Sequence, residues 1–495
     1  MLLSELAACL PTVALSANDD AEITGVQADS RLVRQGDLFV CISGGNFDGH
    51  TYAAEAVSRG AVALVAERAT DAAAPTLLVP DSRRALAELA AAFHRYPSRE
   101  LGLIGVTGTN GKTTTVFLID HILRSRDFDV GLLGTIQSRI AGTAMPSANT
   151  TMEAHLLQHA LRRMVDGGAR YCAMEVSSHA LQFGRVLGCH YRTAVFTNLT
   201  QDHLDFHGTM ERYCAAKGLL FARLGNGGEP DPARRRFAVL NRDDEASVYM
   251  AAQTAAHIVT YAIESNADVM ARDVRFTPAG TSFVLDTFAG SAEVHTRLFG
   301  KFNVYNALAA AAAVLVEGVA LSDIAAALAT AEPVDGRMQA VDAGQAYHVL
   351  VDYAHTPDGL DNALRAISEF AEGRIITVFG CGGDRDKGKR PLMGRIAAQY
   401  SDYVIVTSDN PRSENPAAIV ADVVQGIVDS GIERERYEHI VDRAEAIRAA
   451  MAIAARGDVV LIAGKGHETY QILQDRTIDF DDREVARAAI KGGAL

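Results

Sequence analysis

The chain of 495 residues lacks several features, and each absence narrows its class. Its six cysteines (Cys9, Cys41, Cys172, Cys189, Cys214 and Cys381) form no Cys-x-x-Cys pair and show no zinc-like spacing. They read as reduced thiols, mostly small core residues, of a cytosolic protein. There is no basic surplus either. Lys and Arg total 47 against 61 Asp and Glu, a net charge of −14, which argues against a general nucleic-acid binder while leaving room for a small anion in a local basic pocket. The N-terminus, Met-Leu-Leu-Ser-Glu-Leu-Ala-Ala, carries Glu5 and no basic segment, so it does not read as a signal peptide. No apolar run is long enough to span a bilayer; the nearest, Ala307–Val316, reads as a buried helix. Repeats of solenoid period and low-complexity tracts are also missing. A cytoplasmic location is expected, the sequence leaves oligomeric state open, and a monomer is the working expectation.

What remains is a chain too long for one core, with 48% hydrophobic and 22% charged residues; at about 150 residues per domain it suggests roughly three. Residues 1–98 hold short strand-like runs (Asp37–Ile42, Ala61–Ala66, Thr76–Val79) and a helix pattern from Ala85 to Tyr96. The break Tyr96-Pro-Ser-Arg-Glu100 follows. Over 99–335, strand-like runs at Leu101–Val106, Val130–Leu133, Tyr171–Val176, Thr193–Asn198 and Phe237–Leu240 alternate with helices. Such alternation marks a parallel sheet covered on both faces. Asp273–Phe288 is patterned like a hairpin, Glu229–Arg236 like a polar loop, and an Ala-rich helix spans Asn303–Val316. Over 336–495 the alternation restarts, with strands at His348–Asp352, Ile375–Phe379, Tyr403–Thr407 and Val459–Ala463. The expected fold is α/β in three domains: a central doubly wound, mostly parallel sheet, a smaller α/β domain before it and a Rossmann-like α/β domain after it.

Gly105-Val-Thr-Gly-Thr-Asn-Gly-Lys-Thr-Thr-Thr115 joins the run Leu101–Val106 to a helix-compatible stretch, Thr113–Leu123. In such a strand–turn–helix, backbone N–H groups and the helix dipole converge on one point, and glycine permits close approach of a phosphate. Gly105 and Gly111 are separated by five residues rather than the usual four, so the strict pattern fails while the context holds. Gly108, Thr109, Asn110, Gly111, Lys112, Thr113 and Thr114 are the expected nucleotide cradle. Lys112 would reach the terminal phosphates, and the Thr113 hydroxyl a magnesium ion.

Two further strand ends carry Cys172-Ala-Met-Glu-Val-Ser-Ser-His179 and Thr197-Asn-Leu-Thr-Gln-Asp-His-Leu-Asp-Phe-His-Gly208. Glu175 and His203 either hold a hard divalent cation near the phosphates or are a capping carboxylate and a surface histidine; their coincidence with a phosphate loop favours the cation. Lys217 by spacing alone reads as a solvated helix lysine. Asn303 and Asn306 share a helix face, suited to an adenine edge or, for Asn303, to a helix N-cap. In the last domain, Asp352-Tyr-Ala-His-Thr-Pro357, Gly380-Cys-Gly-Gly-Asp-Arg-Asp-Lys-Gly-Lys-Arg390, Ser408-Asp-Asn-Pro-Arg412 and Gly464-Lys-Gly-His-Glu468 each follow a strand. Converging on one cleft, their Arg, Asp, Asn and Glu side chains suit a zwitterionic amino acid.

Taken in order, these motifs resemble the Mur ligases of bacterial cell-wall synthesis, most closely their tripeptide-forming branch, from Asp29-Ser-Arg31 to Glu468. The resemblance implies a UDP-muramoyl-substrate domain (1–98), an ATP-binding domain (99–335) and an amino-acid-binding domain (336–495). It implies an ATP-dependent amide ligase that adds meso-2,6-diaminopimelate to the D-glutamyl γ-carboxylate of UDP-N-acetylmuramoyl-L-alanyl-D-glutamate through an acyl phosphate. Glu175 and His203 would help hold magnesium, and Lys217, carbamylated by carbon dioxide, would be a further ligand. Asn303 and Asn306 would sit by the adenine, with Arg337 and Asp352 completing the nucleotide site. Ser30, Asn149, Thr150, Thr151, Ser177 and Arg185 match positions that contact the UDP substrate. Arg385, Asp409, Asn410, Arg412, Gly464 and Glu468 match the amino-acid site, where Arg412 would clamp a second carboxylate that lysine lacks. One departure is Phe183, where many relatives carry Gln. The rivals are a lysine-adding version, disfavoured by Arg412, a sister ligase such as a folylpolyglutamate synthetase, and a nucleotide-dependent switch without ligation.

Overall fold

The computed structural model describes all residues except 11–12, 16–19, 45–46, 148, 226–230, 232–234, 278–279 and 493–495. Most of the polar loop expected at Glu229–Arg236 therefore lies outside the described residues. Three main sheets follow one another along the chain. The first has five strands in the order Ala14–Leu15, Thr76–Leu78, Ala63–Ala66, Asp37–Val40, Gly25–Gln27, parallel except for Ala14–Leu15. Its helix is Ser82–Phe93 rather than Ala85–Tyr96. Asp81 caps it by accepting from the Arg84 N–H, and the chain leaves it through left-handed Arg95 and Tyr96.

The central sheet has eleven strands. Gly102–Thr107 lies between Thr193–Phe196 and Tyr171–Glu175, both parallel to it, with Val130–Leu133 beyond Tyr171–Glu175 and Phe237–Asn241 beyond Thr193–Phe196. Because both faces are covered, alternate residues of one strand enter different cores. Ile104 and Val106 join the core under the helices Lys112–Arg124 and Lys301–Leu315, and Leu103 joins the opposite one. Ala309–Ala313 are fully buried, so the Ala-rich helix is a core element on all sides, as its composition predicts. Both margins of the sheet are antiparallel. The hairpin expected at Asp273–Phe288 becomes a three-stranded meander (Val269–Thr277, Gly280–Thr287, Gly290–Thr296), and Gln137–Ile140 with Thr143–Pro146 forms an unanticipated edge hairpin.

The last sheet runs Gln339–Ala340, His348–Asp352, Val459–Ala463, Ile375–Phe379, Tyr403–Val406, Tyr437–His439, parallel after the first pair. Its four central strands therefore end side by side, which brings the loops after Asp352, Ala463, Phe379 and Val406 to one rim. Open parallel sheets bind ligands at such a rim. No helix among the described residues is long and apolar enough to cross a membrane.

Candidate active site

Gly108 and Gly111 take positive φ values of 151° and 83°, so the turn after Gly102–Thr107 folds back over the start of the helix Lys112–Arg124. Lys112 curls into this turn and donates from Nζ to the Gly108 and Thr109 carbonyls (3.0 and 2.7 Å). Burial pushes its pKa down, with Glu175 opposing.

Glu175 ends the neighbouring strand and is 1% exposed. It accepts from Thr113 Oγ1 (3.0 Å), from the Thr135 N–H (2.7 Å) and from Thr135 Oγ1 (3.0 Å). Lys217, on the helix Met210–Ala222, is 1% exposed rather than solvated, and its Nζ donates to the Gly108 carbonyl at 2.7 Å. Burial, reinforced by Lys112, drives its pKa well below that of a free lysine. His203 sits in left-handed backbone beside Asp202, with Nε2 to Oδ2 at 3.3 Å. Burial works to raise the Asp202 carboxyl, yet His203, His355 and Lys389 together hold it low; burial lowers His203.

These groups line a cavity of about 150 Å³ that includes Gly108 to Thr113, Thr150, Glu175, Ser177, His203, Lys217 and Arg337. A second cavity, of about 320 Å³, opens beside it between the central and last sheets, lined by Asn110, Gly111, Thr114, Asn306, Arg337 and Asp352 among others. Arg337 reaches across to Thr113 Oγ1 (3.3 Å) and stacks 4.7 Å above the Tyr353 ring, and its buried Nε has no partner among the described residues. Asp352 accepts from the Met338 N–H at 2.7 Å; burial raises its pKa and Arg337 opposes. Asn303 is not the helix cap, a place taken by Gly300. It lies inside the first turn, donates to the Phe299 carbonyl and accepts from Asn306 Nδ2 at 3.0 Å, thereby fixing the Asn306 amide.

A third cavity, of about 460 Å³, is lined by Thr135, Asn149, Thr150, Tyr353, His467, Glu468, Tyr470 and Arg483 among others. Thr151 accepts from the Ser177 N–H and receives Arg185 Nη1 on its carbonyl, and Arg185 pairs with Glu153 at 2.6 Å. Phe183 packs on Phe206 and under the Arg83 guanidinium, an apolar use for the departing position. Ser30 opens a short 3₁₀ turn of the first unit, apart from the three cavities. On the last sheet's rim, a Cβ at Gly382 would lie 3.0 Å from Arg412 Nη1, 3.8 Å from Arg385 Cγ and 3.8 Å from the Asn410 carbonyl, so these three residues surround one point. Arg412, in left-handed backbone, anchors Nη1 on the Gly383 carbonyl (2.7 Å). Asn410 Nδ2 donates to Glu468 Oε2 at 2.8 Å. Asp409 turns inward, its carboxylate accepting the Asn410 N–H (2.5 Å) and abutting Gly464, so it braces the loop.

Sequence reasoning missed Thr135, Asp202, Asp358 and Lys465. Asp358 accepts from Asn110 Nδ2 at 2.6 Å, tying the phosphate loop to the last unit. Only its place one residue after Pro357 at a helix start was visible in the sequence.

No group of three His, Cys, Asp or Glu side chains among the described residues makes a metal site. A divalent ion here would depend on the Thr113 hydroxyl, the Glu175 carboxylate and His203, with the Asp202 carboxylate in the same cavity. That donor set fits magnesium, which binds proteins through one or two carboxylates and completes its shell with phosphates and water.

Three family descriptions match successive parts of the chain: "Mur ligase family, catalytic domain" over residues 22–94, "Mur ligase middle domain" over 106–314, and "Mur ligase, glutamate ligase domain" over 336–466. The UDP-N-acetylmuramoyl-L-alanyl-D-glutamate--2,6-diaminopimelate ligase of Geobacillus kaustophilus is 54% identical over 491 residues, 99% of both chains. The protein of the same name from Bacillus cereus is 50% identical over 492 residues, again 99% of both. A solved structure of a UDP-N-acetylmuramoyl-L-alanyl-D-glutamate--2,6-diaminopimelate ligase superposes with a TM-score of 0.68 at 35% identity, covering 99% of each chain. With a phosphate loop, a buried carboxylate and lysine beside it, and an Asn-Arg-Glu rim facing them, this chain belongs to the Mur ligase family.

Proposed function

We propose that the protein joins meso-2,6-diaminopimelate to the D-glutamyl γ-carboxylate of UDP-N-acetylmuramoyl-L-alanyl-D-glutamate at the expense of ATP, in the cytoplasm. Residues 1–98 would bind the UDP sugar, 99–335 the ATP and 336–495 the amino acid. The observation that carries this reading is the Arg337–Thr113 contact, which links the phosphate-loop cavity to the unit whose rim presents Asn410, Arg412 and Glu468. The full-length relatives of that name support the choice of substrates.

In this reading the γ-carboxylate attacks the γ-phosphorus, ADP leaves, and an acyl phosphate forms. The neutral amine of diaminopimelate then attacks the acyl carbon, the C–O bond to phosphate breaks, and the amide remains as the nitrogen gives up a proton and phosphate leaves. Lys112 would exchange its loop carbonyls for the transferring phosphoryl oxygens, where fixed positive charge is worth most. Asn306 and Asn303 orient the base, and Arg337 with Asp352 closes the nucleotide site so that water is kept from the acyl phosphate. Thr113, Glu175 and His203 would hold magnesium, which neutralises phosphate charge when bound. Lys217 suits carbamylation because burial favours the neutral amine, the form that adds to carbon dioxide with loss of a proton; the product would be an anion beside Gly108. Ser30, Asn149, Thr150, Thr151, Ser177 and Arg185 would contact the UDP substrate, and Arg385 and Arg412 the distal carboxylate of diaminopimelate, with Gly464 leaving room for the Asp409 carboxylate that braces their loop.

The test is phosphate release with ATP, magnesium and the UDP-muramoyl dipeptide, comparing meso-diaminopimelate with L-lysine, and a product mass. Release dependent on diaminopimelate with a tripeptide product is expected. Preference for lysine would overturn the amino-acid assignment, and release with neither would overturn the reading as a whole.

A further inference from the structure

Lys465 follows the central strand Val459–Ala463 between two left-handed glycines, Gly464 (φ 117°) and Gly466 (φ 53°). That tight path turns its side chain inward, and it is 0% exposed. A fully buried ammonium is expensive unless it is paired and hydrogen-bonded. Among the described residues its hydrogen-bond partners are two of the amino-acid rim: Nζ donates to Glu468 Oε2 at 2.8 Å and to Asn410 Oδ1 at 3.1 Å. It also lies 5.6 Å from the centroid of the Tyr470 ring. Tyr353, Glu468 and Tyr470 form the wall of the 460 Å³ cavity, and Lys465 stands behind that wall.

The hydrogen bonds leave Asn410 a single orientation. Its Oδ1 accepts from Lys465 and from the Ile472 N–H (2.9 Å), so its Nδ2 must point at Glu468. Glu468 Oε2 is thereby filled twice, by Asn410 and by Lys465, while Oε1 keeps a 3.4 Å contact to the Tyr353 hydroxyl. The carboxylate thus faces the cavity with one oxygen, in one rotamer, and with its charge already compensated from behind.

We propose that Lys465 is a positioning and specificity-setting residue of the amino-acid subsite, which it biases toward a zwitterionic side-chain terminus over a purely cationic one. This rests on the functional reading above. The distal end of diaminopimelate carries an ammonium and a carboxylate, whereas that of lysine is a lone cation. A Glu468 without a compensating cation would attract the lone cation, and the Lys465 charge removes that attraction. The guanidinium of Arg412 is left to reward the carboxylate.

The test compares wild type, Lys465→Met and Lys465→Gln in steady-state phosphate release, varying diaminopimelate, L-lysine, ATP and UDP-muramoyl dipeptide in turn. For Lys465→Met the KM for diaminopimelate rises at least about tenfold, as expected when a charged donor is lost, while the KM values for ATP and the dipeptide hold. The ratio of kcat/KM for diaminopimelate to that for lysine falls by on the order of tenfold or more. Lys465→Gln keeps a donor but no charge, so it recovers most of the KM and none of the discrimination. An unchanged ratio in either variant overturns the proposal, as does a loss shared equally by all three substrates. If Lys465→Met does not fold, the ratio in Lys465→Gln decides. Wild type that fails to use diaminopimelate would refute the functional reading itself, a result separable from a normal wild type with indifferent variants.

Discussion

Gly134 follows the strand Val130–Leu133 and lies against Glu175. A Cβ added there would come within 2.6 Å of Glu175 Oε1, about 0.8 Å short of the 3.4 Å at which ordinary contact begins. Glu175 cannot retreat freely, because Thr113 Oγ1, the Thr135 N–H and Thr135 Oγ1 hold it at 3.0, 2.7 and 3.0 Å. Moving the carboxylate by that distance breaks at least the Thr135 N–H bond on Oε1. A hydrogen bond to a charged group is worth about 1.5–3 kcal/mol. If that stabilisation is lost where phosphoryl charge develops, kcat falls roughly 10- to 150-fold. Gly134→Ala should therefore reduce phosphate release by that factor and raise the magnesium concentration needed for half-maximal rate, with the KM for diaminopimelate unchanged. The assay is initial-rate phosphate release over a magnesium titration, with thermal melting to show that the variant is folded. A Gly134→Ala protein with wild-type kcat and an unchanged magnesium requirement would refute the proposed role of Glu175 in holding magnesium.

Three other predictions follow from the geometry. Lys217→Ala should lower turnover by about 100-fold or more, the scale expected for losing a charge-stabilising group in a closed site; removing and restoring bicarbonate should modulate the wild type and leave the variant unmoved, and near-normal turnover in Lys217→Ala would sink the carbamate assignment. Arg443 and Asp482, both fully buried, form a two-pronged pair at 2.7 Å, and Arg443 also donates to the Ala463 carbonyl. Arg443→Met should cost about 3–5 kcal/mol and lower the melting temperature, while Arg443→Met with Asp482→Leu recovers most of the loss; equal destabilisation in the single and double variants would contradict this. Burial lowers His94 and His155 from 6.5 to about 4, so at pH above 6.5 both are neutral whether the chain is folded or not. As the pH falls from about 6.5 to about 4 the unfolded chain takes up protons that the folded one refuses, and stability declines across that window. Melting temperature against pH measures it, and replacing both histidines by Gln should flatten the slope.

The parts of this architecture legible in the sequence are those where burial on both faces leaves an uninterrupted apolar run. Val130–Leu133, His348–Asp352, Ile375–Phe379 and Val459–Ala463 are found where the pattern puts them, and chemistry-bearing residues such as Glu175 and Asp352 stand at strand ends. The edge hairpin Gln137–Ile140 with Thr143–Pro146 was not legible, because a half-exposed strand with Arg139 and Ser138 has no apolar run. The buried charges were hidden for the opposite reason. Lys217, Lys465, Arg443 and Asp482 look like surface residues, and only tertiary partners explain their burial. The pairing of Asn110 with Asp358 spans 248 positions and has no local signature. Spacing alone reads Lys217 as a solvated helix lysine, and the structure buries it.

The position of Val459–Ala463 has a consequence for how the protein is made. The strand lies in the middle of its sheet, between His348–Asp352 and Ile375–Phe379, although it is translated after both. Until it arrives, those two strands have no common neighbour and the rim they should share stands open as two exposed edges. A nascent chain can therefore finish its phosphate loop long before the rim that carries Asn410, Arg412 and Glu468 is complete. A stop upstream of residue 459 leaves the edges of His348–Asp352 and Ile375–Phe379 unpaired, a state prone to aggregation.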